Sequence, residues 1–414
     1  MSSKALPPRR FLAVLLGALT LLCSPLLLSY RYLQQYGETI SPVSIADELE
    51  RSPDTYYRSA MHDNLRETAL EVLRRRQPEI IALGSSLSYD FRQEYFTSTF
   101  GCGCGVMDSI SEGEAFVDRL TEVARPKIVL FVLDFWWFTD PVPVMRRGIT
   151  PAADSPRFSF SQLRVPFKQL TRGQITLAQL LGIAPLAATE IVKNRPLGLM
   201  ANLDNVGRRP DGSQLNGLVF TRRAWNFYAP VRARLAAPDT FVMQPGRFGP
   251  DLSIHDDRLA ILERTVKKLR DHGAHVILIY PPMAPSITAA MEKSGRHRHF
   301  FDLARRIEAL GQEFYDFHSA NALGIRLGEF ADTHHAGNTA YMRLLSAIVQ
   351  KKPASPLSRM VDQARLIRWA EEYRGTTVAV FENDHISVAE TDFLGLGITK
   401  DHAPHLLKPH IQTQ

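Results

Sequence analysis

The stretch "IIALGSSLSYDF", Ile80 to Phe91, sets a serine pair directly after an apolar run and ahead of a helix-like segment. A serine hydroxyl becomes a good nucleophile only when a base takes its proton. A histidine does this best when a carboxylate holds its other ring nitrogen. Far downstream, "FADTHHAGNTAYMRLL" supplies such a pair, because Asp332 and His335 are close enough on one turn for carboxylate to meet imidazole. His334 points elsewhere under that spacing and stands as the alternative base. Ser86 is expected to open a helix after a strand, where backbone N–H groups favour developing negative charge. Each half also has a plain explanation: Gly-Ser-Ser is often a helix cap, and Asp-x-x-His is often a surface turn. Together they point to acyl transfer through Ser86, with His335 as base and Asp332 as its orienter.

These residues need elements to position them. "PEIIALGSS", "RPKIVLFVLDFWWF", "GAHVILIYPP" and "GQEFYDFHSA" read as strands, each preceded by a helix-like segment such as "DDRLAILERTVKKLRDHG". Unbroken apolar strands alternating with helices predict an α/β fold with a parallel sheet covered on both faces. Functional groups in such sheets collect at the carboxyl ends of strands. The strand ends here carry "GSS", "LDFWWF", "YPP" and then the Asp/His segment. Between about 141 and 249 the pattern loosens into a turn-rich, partly helical insertion that could wall a cleft. Residues 352–414 read as a helical and strand extension opened by the linker-like "KKPASPLS".

At the N-terminus, "MSSKALPPRR" precedes an uncharged run from Phe11 to Tyr30. At ~1.5 Å per residue this run can cross a hydrocarbon core of ~30 Å. The basic flank predicts residues 1–10 in the cytoplasm, 11–30 as an uncleaved anchor, and the remaining chain outside. Residues 31–78 form a juxtamembrane helical region, and 79–351 the α/β domain with its insertion. A net charge of +6 is spread without a basic helix, so no nucleic-acid-binding motif emerges. Cys102 and Cys104 read as small residues beside glycines, since a Cys-x-Cys ring is strained. No residue set has metal-ligand spacing and no glycine-rich phosphate loop is present, so neither a metal nor a cofactor is expected. "GRHRHFF", with Arg296, His297, Arg298 and His299, reads as a solvated turn.

The order of the blocks resembles the SGNH (GDSL-like) hydrolase superfamily, whose first block is Gly-Asp-Ser after the first strand and whose last is Asp-x-x-His. "GSS" and "DTHH" stand in those places. The Ser85 departure resembles a divergent membrane-anchored branch that includes the teichoic-acid D-alanyl transfer protein and alginate O-acetylation proteins. The resemblance implies a flavodoxin-like three-layer αβα fold. It also implies an O-acyltransferase or esterase acting on a cell-envelope polysaccharide at the outer face of the inner membrane, in the periplasm, with a membrane acyltransferase as partner. Ser86 and Gly113, in "VMDSISEGEAF", would supply oxyanion-hole N–H groups. The third block's Asn is missing, and Asp134 of "VLDFWWFTD" occupies roughly its place. Asp134, Trp136, Trp137 and Tyr280 are the substrate-binding candidates. The rival is a non-catalytic binding or assembly subunit of a polysaccharide biosynthesis or export complex.

Overall fold

The computed structural model describes residues 8–60, 64–139, 160–184, 186, 195–204, 206–216 and 225–377. Most of the tail expected in the cytoplasm and of the C-terminal extension, including most of its expected strand at "TTVAVF" (376–381), therefore lies outside the described residues.

Five strands form one sheet: β1 (Ile80–Gly84), β2 (Phe100–Cys104), β3 (Ile128–Val132), β4 (His275–Tyr280) and β5 (Glu313–Asp316). Their order is β2-β1-β3-β4-β5, and every neighbouring pair is parallel. β1 and β3 bury every residue, as two covered faces require of central strands. The edge strand β2 was not legible as a strand, because "FGCGC" lacks the usual β-branched residues. Its glycines serve close packing: a Cβ on Gly101 would meet Leu73 and Pro78, and one on Gly103 would meet Leu83 and Phe116. Cys102 and Cys104 are joined as a disulfide, which corrects the expectation that they are only small residues.

Helices follow from the crossovers. α1 (Pro8–Gln35) is the apolar N-terminal helix, and its Phe11–Gln35 part is long and apolar enough to cross a membrane. α2 (Leu65–Arg76), α3 (Ile110–Val123) and α4 (Asp256–Asp271) pack together. Right-handed crossovers place α3 and α4 on one face of the sheet. Beyond α5 (Arg298–Glu308), α6 (Asn338–Lys351) packs against the connection that leaves β1. There Tyr341 meets Phe91 edge-on at 4.9 Å and donates its hydroxyl to the Leu87 carbonyl. α7 (Gln363–Glu372) then packs on α6. The architecture is mixed α/β with a parallel sheet.

The insertion is not one unit. Residues 160–184 and Leu186 pack against the end of α1. The pair Val206–Arg208 and Gln214–Asn216 joins Thr55–Tyr57 and Arg195–Leu197 in a small second sheet. That sheet leans on the β2 edge, where Cys102 N–H donates to Asp211 O at 2.7 Å. The last part, around Phe241 to Phe248, reaches the carboxyl ends of the central strands, where Phe248 packs on Phe135 and Trp136, while Arg208 reaches the end of β2 by donating to Cys104 O.

Candidate active site

The chain leaves β1 and β3 in opposite directions across the sheet, which opens a crevice at their carboxyl ends. β1 ends at Gly84, whose φ of +152° suits glycine and whose Cβ would stand 3.0 Å from Val132 O and 3.1 Å from Ser88 Oγ. Ser85 then caps a single 3-10 turn, Ser86–Ser88, by accepting the Leu87 N–H at 3.1 Å. Ser85 also donates its hydroxyl to Asp134 Oδ1 at 2.9 Å, tying the end of β1 to the end of β3. Ser86 opens this turn, at a position whose N–H has no acceptor within the turn itself. It is partly exposed while both of its neighbours are buried.

The base arrives on a tight loop. Phe330 and Ala336 form an antiparallel bridge, and Ala331 N–H donates to His335 O at 2.7 Å. Within it, Asp332 Oδ1 accepts the backbone N–H groups of His334 and His335, each at 2.8 Å. Its Oδ2 accepts His335 Nδ1–H at 2.7 Å. Such self-bonding is what a short carboxylate side chain does in a turn. It leaves His335 Nε2 facing Ser86 Oγ at 2.7 Å. Ser86, His335 and Asp332 are therefore in hydrogen-bonded sequence, with Nδ1 protonated and the Nε2 lone pair on the serine hydroxyl.

Electrostatics fit that order. Burial disfavours charge on His335, but the Asp332 carboxylate and its hydrogen bond outweigh this and raise the imidazole above its ordinary pKa. Burial would raise Asp332, yet the pull of His335 and the hydrogen bonds it accepts from His335 and from the His334 backbone hold it well below the carboxylate range. His334 is different. Burial brings it down to about 3, so it is neutral, and its Nε2 accepts from the Arg247 guanidinium at 3.1 Å. The alternative base is thus turned to Arg247 and away from Ser86.

The other predicted residues separate. Trp136 lies beneath Arg247, whose guanidinium is 4.4 Å from its ring and 4.9 Å from that of Phe248. Trp137 and Tyr280 are core residues. Trp137 packs on Phe131, and Tyr280 donates its hydroxyl to Phe300 O at 3.1 Å. Neither offers a wall to a substrate, because long side chains at strand ends also fill the layer under the neighbouring helix. Gly113 is buried in the first turns of α3, and its N–H donates to Ser109 O at 3.0 Å. In this conformation that N–H is spent on the helix, which removes it from an oxyanion hole. Asp134 is buried, and burial pushes its carboxyl up to about 7 against the pull of Ser85, Arg247 and His335. Its Oδ2 is also buried without a hydrogen-bond partner, which is a natural place for the proton.

Several contributors carried no usable sequence signal. Asp90 is buried behind the triad and accepts from Asn338 Nδ2, while burial raises its carboxyl to about 7. His297, expected in a solvated turn, is buried, and its Nε2 lies 3.0 Å from Val242 O and 3.2 Å from Phe248 O. It thereby pins the segment that delivers Arg247. His299 is buried as well and lowered to about 4 by burial. Near the tail, Asn338 N–H donates to Thr377 O at 2.9 Å, and Thr377 Oγ1 donates to Gly328 O at 2.9 Å. Gly375 N–H donates to Glu329 Oε1 at 3.0 Å, so the segment after α7 braces the loop of the base.

Donor atoms of Asp332, His334 and His335 lie within 4.8 Å of one another, which is metal-like spacing. Each is already engaged, and the Arg247 guanidinium bonded to His334 Nε2 opposes a cation there. The residues suit a proton relay better than a metal centre. No family model matches the chain, and no curated protein matches it in sequence.

Proposed function

We propose that this chain is a membrane-anchored, extracytoplasmic acyl-transfer enzyme of SGNH type, an O-acyltransferase or esterase acting on a cell-envelope polysaccharide. The observation that carries this is the Ser86–His335–Asp332 relay: a 2.7 Å contact that joins Ser86 to His335 from a distant part of the chain, and a second of 2.7 Å that holds His335 to Asp332 on the same turn. The strand order is that of flavodoxin-like sheets, and the relay lies at the crevice where such sheets bind ligands, which supports the fold named by the resemblance.

In the mechanism, Ser86 Oγ attacks the acyl carbonyl as His335 Nε2 takes the hydroxyl proton. Asp332 holds the imidazolium that forms. The tetrahedral intermediate collapses, His335 returns the proton to the departing alkoxide, and an acyl-Ser86 ester remains. A sugar hydroxyl or water, deprotonated by His335, then releases the acyl group and regenerates Ser86. The Ser86 N–H is placed to meet the oxyanion. With Gly113 engaged elsewhere and no Asn at the third block, hydrolysis slower by ~10²–10³ per missing donor is expected. An anchor formed by α1, with the domain on the outer side of the inner membrane, would bring Ser86 near a membrane acyltransferase as acyl donor.

That thin oxyanion hole also favours a second reading, a non-catalytic binding or assembly subunit of a polysaccharide complex. Mass-spectrometric mapping of a fluorophosphonate adduct on the full chain separates the two. A single adduct on Ser86, lost in Ser86→Ala and His335→Ala, supports the enzyme. No adduct at a concentration that labels a control esterase would leave the binding role.

A further inference from the structure

The described residues 160–184 pack beside α1 rather than over the crevice. Ser29 donates its hydroxyl to Leu163 O at 2.7 Å, and Tyr32, Leu33 and Tyr36 share a core with Leu163, Ile175 and Leu180. Leu26 and Leu28 pack onto the same cluster, and the Cβ position of Gly182 is 3.3 Å from Gln35 Oε1. At ~1.5 Å per residue, the uncharged run from Phe11 to Tyr30 spans ~30 Å, the thickness of a hydrocarbon core. Leu26 to Ser29 then occupy its last ~6 Å, so whatever packs on them sits at the leaflet boundary.

At that level the segment leaves large apolar side chains in the open. Leu177 is 57% exposed, Leu181 44% and Ile183 76%. Residues 160–184 contain no Asp or Glu, while Arg164, Lys168 and Arg172 are exposed, as is Arg31 just beyond the uncharged run. Exposed apolar residues with basic ones and no acids are the composition of a surface that lies in a lipid interface. Three exposed apolar side chains are also few for a stable protein–protein contact, which buries some 20–30 residues a side.

We propose that residues 160–184 form an interfacial membrane-binding surface that inserts Leu177, Leu181 and Ile183 into the outer leaflet and rests Arg164, Lys168 and Arg172 on anionic headgroups. This rests on the spanning role proposed for α1 and adds a second, side-by-side attachment. With two attachments, the domain cannot swivel about α1, and the crevice keeps a fixed height and heading over the bilayer.

The test uses the full chain with Cys23→Ser, reconstituted in bilayers, with a nitroxide placed through Ile183→Cys, Leu177→Cys, Leu19→Cys or Met243→Cys. Relative collision with oxygen and with a water-soluble nickel chelate reports depth. Expected are a Leu19 label deep in the hydrocarbon, a Met243 label in water, and Ile183 and Leu177 labels ~5–10 Å into the headgroup and acyl boundary. Adding phosphatidylglycerol to phosphatidylcholine should deepen the last two, and Arg164→Gln with Lys168→Gln and Arg172→Gln should abolish that deepening. A Leu19 label in water would overturn the spanning role itself. A hydrocarbon Leu19 label with Ile183 as aqueous as Met243 overturns only the interfacial surface. Ile183 and Leu177 labels that neither reagent reaches would show a protein contact instead, which also overturns it. Insertion unaffected by phosphatidylglycerol or by the triple substitution would overturn the headgroup contact.

Discussion

Replacing Asp332 with Asn gives the sharpest test of the relay. The carboxylate accepts three N–H groups, two backbone donors on Oδ1 and His335 Nδ1 on Oδ2. An amide of the same shape has one acceptor oxygen and one donor nitrogen, so both sides cannot be served. Two backbone N–H groups outweigh one imidazole in fixing the amide, so its oxygen stays on the backbone and its NH₂ turns to His335. Nδ1 must then present its lone pair, and the proton moves to Nε2, where it faces Ser86 and blocks proton transfer. In the comparable triad of other enzymes this wrong tautomer costs ~10⁴ in rate, about 5 kcal/mol of barrier at 1.36 kcal/mol per tenfold. The assay is the second-order rate of fluorophosphonate labelling of Ser86 on the full chain, which needs no knowledge of the acyl donor. Labelling of Asp332→Asn within tenfold of wild type, in a folded protein, would refute the assigned tautomer and role.

Labelling should also fall as pH drops through the raised His335 pKa, because only the neutral imidazole accepts the proton; a flat profile from pH 6 to 9 would point to another base. Asp134 gives an opposite stability signature. Its carboxyl sits at about 7 in the folded state against an ordinary 3.8, so the unfolded chain loses the proton first and wild-type stability declines between those values as pH rises. Asp134→Asn keeps an acceptor for Ser85 and cannot ionise, so its stability relative to wild type, followed by melting temperature, should rise from pH 5 to pH 8 by on the order of 2–3 kcal/mol. A constant difference across that range would contradict the raised value. Gly84→Ala should destabilise the domain by about 1–3 kcal/mol, since its φ excludes a side chain and its Cβ crowds Val132 O and Ser88. It should slow Ser86 labelling as well, whereas Gly173→Ala, with positive φ and open space around its Cβ, should leave labelling alone.

β1, β3 and β4 were readable because each is a short apolar run closing a helical pattern, and burial on both faces dictates that composition; β5, half polar and only partly buried, was readable from the helix that precedes it. β2 was not readable, because its role is to let α2 and α3 come close, and that selects glycine over β-branched residues. Ser86, Asp332 and His335, which the structure brings together, could be singled out because a proposed proton relay requires fixed residue types at strand ends. The bonds that hold them were hidden, since Ser85–Asp134, Asp90–Asn338 and His334–Arg247 join residues that only the folded topology brings together. The failures share a cause. Trp137, Tyr280 and Gly113 were placed by their nearness in sequence to site elements, but one residue along a strand end or helix turn separates cleft from core. His297 and His299 misled because imidazoles beside arginines look hydrated until the partner segment, 242–248, is known.

The brace between the base loop and Thr377 has a consequence in time. Ser86 is made early, but the loop of its base gains its last supports only when residues 375–377 have followed. At ~5–20 residues per second of synthesis, ~290 residues separate the two, a delay of roughly 15–60 s. Throughout that interval the serine is present without a positioned base. On the role proposed for Ser86, a nascent chain would therefore pass its surroundings unarmed, and reactivity would begin as one late event once residues 375–377 have joined the fold.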